Sequence, residues 1–270
     1  MVQSTPYALR SWCYTMKIRV LGCSGAEFPH HNTPGFLLDE EILFDAGSLT
    51  NALSEDDQWK LHTIFITHAH LDHIKGIPFL ADNLITRNKG HKVQIMSIPP
   101  VIKTIRENLL NGNVWPDFTI LPDRRHGVLK YTRLREGSPL TIKDYVITPY
   151  RVNHSVPATG YLVEDRRKKR FFYSGDTGPT EATWGKIGST QIHCLIIEVS
   201  FPDTMKDTAL MTGHLTAGLL KEEISKIRPM PERIYITHTK PQYAKVIRNE
   251  LKNLKMKNMS ILRDGEIIRV

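Results

Sequence analysis

The sequence predicts an α/β fold in which two sheets pack face to face with helices outside. Three observations carry this: a first half rich in strand patterns, a second series in which strands alternate with helical stretches, and short apolar runs that end on a histidine or an acid. Lys17 to Leu21 alternates charged and β-branched residues and runs into Gly22-Cys23-Ser24-Gly25, a strand ending in a tight turn. Gly35 to Leu38 and Ile42 to Phe44 flank the acidic turn Asp39-Glu40-Glu41 as a hairpin would, and Thr63 to Ile66 has the apolar character of a buried strand. Ile74 to Leu84 and Pro100 to Leu110 read as helices, the second with Pro in its first turn, and Val93 to Ile98 is a strand between them. Further strands are expected at Val128 to Leu134, Tyr145 to Val152, Gly160 to Val163, Phe171 to Tyr173, Leu195 to Glu198 and Ile234 to Ile236. Leu215, Leu219, Leu220, Ile224 and Ile227 form one apolar helix face that stops near Pro229.

A chain of 270 residues can bury a large core, and no break in composition divides it, so one domain over residues 16–270 is expected. Residues 1–15, with Pro6 and no periodicity, read as an N-terminal extension, and Met16 can serve as a natural start. No stretch approaches the roughly 18 apolar residues of a membrane span, and the N-terminus lacks a basic region followed by an apolar core. A cytoplasmic location is the expectation. Cys13, Cys23 and Cys194 make neither a disulfide framework nor a CxxC site. The formal charge of +8 suits an anionic substrate, and equally loose nucleic-acid contact or solubility alone.

The densest chemical signal is His68-Ala69-His70-Leu71-Asp72-His73, where imidazoles and a carboxylate leave a strand end together. Such donors suit zinc, manganese or iron, and a short loop can direct alternate residues to two neighbouring ions. Ile234-Tyr235-Ile236-Thr237-His238 echoes Ile64-Phe65-Ile66-Thr67-His68, each a buried strand ending on a histidine. Strand ends are rigid places from which to hold a metal.

This HxHxDH run resembles the signature of the metallo-β-lactamase superfamily. The order of the downstream residues is similar too: His154 after a strand, Asp176 in Ser174-Gly175-Asp176-Thr177, and His238. The resemblance implies an αβ/βα four-layer sandwich. It also implies two divalent ions, zinc before manganese or iron: His68, His70 and His154 on one, Asp72, His73 and His238 on the other, Asp176 bridging. Hydroxide activated by the ions would be the attacking group. Asp72 is a candidate proton acceptor as well as a ligand, and Glu198 and His214 resemble the pair that assists the leaving oxygen in phosphodiesterase branches. Thr67, Asn153 and Thr237 are candidates for hydrogen bonds to the ligands.

Lys17 to Gly25, His68 to Leu80, Asn113 to Phe118, Val152 to Tyr161, Tyr173 to Thr177 and Glu198 to Phe201 resemble class II cyclic-nucleotide phosphodiesterases of bacterial type. That implies a small cyclic nucleotide as substrate, opened to a 5′-monophosphate. A homodimer is compatible. Trp115 and Phe118 either wall a base-binding surface or anchor a loop. The alternative is a ribonuclease Z-like enzyme acting on transfer RNA, which Ser174 to Thr177, Glu198 and Gly213-His214-Leu215-Thr216 also resemble. That family's RNA-grasping arm has no room in the short interval 155–175, where Arg166 to Arg170 reads as a solvated hairpin tip. Carboxyl-ester hydrolysis and a catalytically inactive nucleotide-binding domain are further readings; no ligand is missing, as the last would require.

Overall fold

The computed structural model describes residues 15–87 and 90–270; the expected extension over 1–15 therefore lies, apart from Thr15, outside the described residues. Six strands come first: β1 (Lys17–Gly22), β2 (Gly35–Leu38), β3 (Ile42–Phe44), β4 (Thr63–Phe65), β5 (Val93–Ser97) and β6 (Leu129–Arg133). Then come β7 (Leu140–Ile142), β8 (Tyr145–Arg151), β9 (Thr159–Glu164), β10 (Arg170–Tyr173), β11 (Cys194–Glu198), β12 (Arg233–Thr237) and β13 (Met259–Ile261), and β14 (Ile267–Arg269) returns to the first sheet. The orders are β14-β1-β2-β3-β4-β5-β6 and β13-β12-β11-β10-β9-β8-β7. Each sheet is antiparallel at one side and parallel at the other, β3 to β6 and β10 to β13 being the parallel runs. Parallel neighbours need crossovers, and these carry the helices onto the outer faces.

Period-2 alternation sorts the apolar side chains into three layers. Phe36, Phe44, Phe65, Tyr161, Phe171, Tyr173 and Ile196 meet between the sheets. Leu37, Leu43, Ile64 and Ile95 face the opposite way, onto Ile77, Leu80 and Leu84 of the Gly76–Arg87 helix and Val101 and Ile105. Phe172, Leu195, Ile197, Ile234 and Ile236 cover Trp184, Leu219, Leu220, Ile224, Ile247 and Leu251. The result is the expected four layers, helix, sheet, sheet, helix.

Several local expectations are refined. The helix expected from Ile74 is two pieces, Leu71–Ile74 and Gly76–Arg87, parted where the Gly76 N–H bonds Ala46 O at 2.8 Å. The helix from Pro100 is an α-turn, Pro99–Thr104, followed by a wider π-turn, Ile105–Leu109. β7, β13 and β14 and the helices Ala182–Ile187, Lys206–Thr212 and Ala244–Asn253 were not foreseen. Phe118 is taken up in the core and Trp115 packs its ring against Phe79 at 5.5 Å, so the pair anchors a loop. Arg166 to Arg170 does sit at the β9–β10 turn, where Arg166, Arg167, Lys168 and Arg170 pair with Asp144, Asp165 and Glu164. No helix among the described residues is long and apolar enough to cross a membrane.

Candidate metal centre

The seven residues singled out as ligands converge at one end of the sandwich. His68 follows β4; His70 is the N-cap of the Leu71–Ile74 helix, which carries Asp72 in its first turn and His73 in its last. His154, Asp176 and His238 follow β8, β10 and β12 of the other sheet. Atoms of His68, His70, His154 and Asp176 lie within 4.8 Å of one another, as do those of Asp72, His73 and His238. Asp176 reaches both groups: Oδ2 is 3.5 Å from His68 Nε2 and 3.3 Å from His238 Nε2, and Oδ1 is 3.4 Å from His73 Nε2. Its approach depends on Gly175, at φ +60°, where a Cβ would come within 2.7 Å of Thr67 Cβ.

Hydrogen bonds fix which ring nitrogen faces inward. Asp45, wholly buried, accepts from the Thr67 N–H at 2.8 Å and from the Thr67 hydroxyl at 2.8 Å. That hydroxyl has spent its one proton, so it accepts from His68 Nδ1 at 3.0 Å and leaves Nε2 with a lone pair. His238 repeats the pattern. Ser200 Oγ donates to Glu198 Oε2 at 2.6 Å and accepts from His238 Nδ1 at 2.8 Å. His73 Nδ1 donates directly to Asp45 Oδ2 at 2.7 Å, and His154 Nδ1 to Gly213 O at 2.8 Å. His70 alone turns Nδ1 inward, 3.2 Å from His154 Nε2.

The donor set fits divalent cations. His68 Nε2, His73 Nε2 and Asp176 Oδ1 are buried without a hydrogen-bond partner, a costly arrangement for a protein alone. Burial holds His68, His70 and His154 below the usual imidazole range, keeping their lone pairs free. His73 goes the other way: burial opposes its charge, but Asp176, Asp45 and Asp72 outweigh it. Asp176 is held low, its burial offset by His238 and His73.

Glu198 and His214 lie beside these groups. His214 lies two residues before Thr216, the N-cap of the Ala217–Lys226 helix, and just after Gly213, which caps Lys206–Thr212. Its Nδ1 is 2.6 Å from Glu198 Oε1, and it has an imidazole nitrogen within 4.8 Å of ligand atoms of Asp176 and His238. Burial disfavours its charge, but Glu198 more than offsets this and moves its pKa up to about 9. Of the three candidates for bonding the ligands, only Thr67 does so; Asn153 donates to Pro179 O and Thr237 to Cys23 O. Asp45 and Ser200 went unforeseen. An acid closing an apolar strand, Phe44-Asp45, was the available signal for the first; a serine near a strand end offers none.

A family model described as the β-lactamase superfamily domain matches residues 41–239, spanning all seven positions. The chain belongs to the metallo-β-lactamase superfamily of hydrolases. It is 27% identical over 206 residues to a probable 3′,5′-cyclic-nucleotide phosphodiesterase of Yersinia pestis, a match covering 68% of this chain and 58% of that one. It is 26% identical to ribonuclease Z of Methanococcus aeolicus, with 93% of each chain covered. The crystal structure of unliganded yeast PDE1 superposes with a TM-score of 0.80 at 20% identity, covering 95% of this chain and 99% of that one, a likeness of fold.

Proposed function

We propose that this protein is a metal-dependent phosphodiesterase that opens 3′,5′-cyclic nucleotides to 5′-monophosphates. The observation that carries the reading is the buried Glu198–His214 pair beside two cation-binding groups. An alkoxide leaving group needs a proton, and an imidazolium held charged to about pH 9 can supply it. In this reading His68, His70 and His154 hold one ion, Asp72, His73 and His238 the other, and Asp176 both; zinc suits these donors, as do manganese and iron. When bound, the two cations supply Lewis acidity to the phosphoryl oxygens and lower the pKa of water toward neutrality.

The chain's own groups do the rest. Asp72, with 32% of its side chain exposed against 3% for Asp176, is the ligand acid open to solvent and takes the proton of the attacking water. His214 gives its proton to the departing 3′ oxygen, and Glu198 orients the ring and stabilises its charge. Asp45 and Ser200 hold His73 and His238 in the tautomer that presents Nε2.

A second reading, ribonuclease Z-like cleavage of transfer RNA, is supported by the relative that matches along 93% of the chain. Against it stands the tight β9–β10 turn, whose cations are already paired with acids. Zinc- or manganese-loaded protein should convert cyclic AMP or GMP to the 5′-monophosphate and leave precursor transfer RNA uncut. The reverse pattern establishes the second reading instead.

A further inference from the structure

β13 ends the second sheet, and no strand among the described residues pairs with its outer side. Its ladder to β12 is parallel: the Ile234 N–H bonds Asn258 O at 2.8 Å and the Leu262 N–H bonds Ile236 O at 2.9 Å. Bonding in such a ladder falls on alternate residues, so Ser260 faces β12 and the N–H and C=O of Ile261 point off the edge. A cavity of about 570 Å³ runs along this edge, between it and the last turns of the Ala244–Asn253 helix. Leu251, Met256, Met259 and Ile261 give it an apolar floor. Its rim is cationic. Arg248 and Lys252 stand one helical turn apart, Lys255 follows the helix and Arg263 follows β13. All four are exposed, and among the described residues none of them forms an ion pair. The β9–β10 turn is the contrast, since Arg166, Arg167, Lys168 and Arg170 are each matched by an acid. Like charges gathered around one groove repel one another, and an anionic partner relieves that repulsion.

We infer that this groove docks an acidic, extended peptide segment of a partner protein, added to the sheet beside β13. The outward backbone groups of Ile261 hydrogen-bond the added strand, the apolar floor takes its aliphatic side chains, and the four cations meet its acids. Two other occupants fit less well. A second copy of this chain set edge to edge would bring cation against cation. Single-stranded nucleic acid is held by aromatic platforms as well as by charge, and no aromatic residue lines the groove. None of the seven proposed metal ligands lines it either, so the surface serves a partner rather than the reaction.

The test follows the fluorescence anisotropy of a labelled peptide, Glu-Asp-Ile-Asp-Val-Asp-Glu, titrated with the full-length protein. Its counterpart with Lys in place of every acid and a labelled heptauridylate serve as comparisons. The acidic peptide should bind, about tenfold more weakly at about 500 mM salt than at about 50 mM, and the Lys peptide should not. Arg248→Glu with Lys252→Glu, both at exposed positions, should keep the Tm and weaken binding by about tenfold or more. Ile261→Pro removes the outward N–H, spares the ladder to β12 and should weaken binding by about tenfold. Should that variant lose its fold, the acidic peptide N-methylated at alternate amides gives the same reading, because only one of the two phases faces the edge. No binding of the acidic peptide at about 1 mM overturns the inference. So does an affinity unchanged by the charge reversal, retained in folded Ile261→Pro, or equal in the two N-methylated phases. Heptauridylate that binds more tightly than the peptide, and is lost on charge reversal, makes the groove a nucleic-acid surface instead. Sedimentation of the protein alone detects the remaining occupant: a dimer that Ile261→Pro splits makes the groove an interface between copies and likewise overturns the inference.

Discussion

The carboxylate of Asp45 accepts a hydrogen bond from His73 Nδ1 at 2.7 Å, and neither side chain is exposed at all. The same carboxylate serves Thr67, and through it His68, and also the hydroxyl of Tyr173 at 2.7 Å. One buried acid thus orients two imidazoles that fall in different candidate metal groups. Asp45→Asn should keep the fold and weaken zinc affinity by about 10–100-fold, read by competition with a chelator. Asp45→Ala strands several buried donors and should cost about 3 kcal/mol or more in thermal or urea unfolding. Wild-type zinc affinity in Asp45→Asn would deny it this role.

His214 carries a proton until about pH 9 because Glu198 outweighs its burial. The protonated form is the useful one in the proposed mechanism, so turnover should fall as pH rises through that value. Glu198→Gln removes the stabilising charge, and the alkaline limb should then move to lower pH. A limb that stays in place in Glu198→Gln would separate it from His214.

Gly213 adopts φ +71°, and a Cβ there would meet His154 Cα at 2.8 Å. Its carbonyl also holds His154 Nδ1. Gly213→Ala should therefore destabilise the protein by about 1–3 kcal/mol and lower bound zinc together. Thermal unfolding and metal analysis of one sample check both, and a loss of stability with full zinc content would uncouple them.

Both described thiols are poor nucleophiles. Burial raises Cys194 to about 12, and burial together with Asp264 raises Cys23. Iodoacetamide at pH 8 should label neither in the native protein and both after unfolding, as peptide mapping would show. Rapid native labelling of Cys194 would mean that β11 opens far more readily than its burial implies.

The sequence disclosed most strands because both sheets are covered on both faces, which leaves short apolar runs such as Ile64 to Ile66 and Leu195 to Ile197. It disclosed the imidazoles and acids that converge at one end of the sandwich because strand ends concentrate unusual side chains. It hid β13 and β14, whose alternate residues face solvent and blur the apolar pattern. It hid Asp45 for another reason: its partners, Thr67, His73 and Tyr173, are brought to it only by tertiary packing. The helix that starts after His214 was legible in the apolar face from Leu215 to Ile227, but the Lys206–Thr212 helix that ends on Gly213 just before it was out of reach.

Four of the seven proposed ligands belong to the first sheet's segments and three to the second's. A cut in the polypeptide between His73 and His154 would leave each fragment with an incomplete set. Cation capture would then report reassembly of the two pieces, and a chelator would weaken their association as well as silence the enzyme.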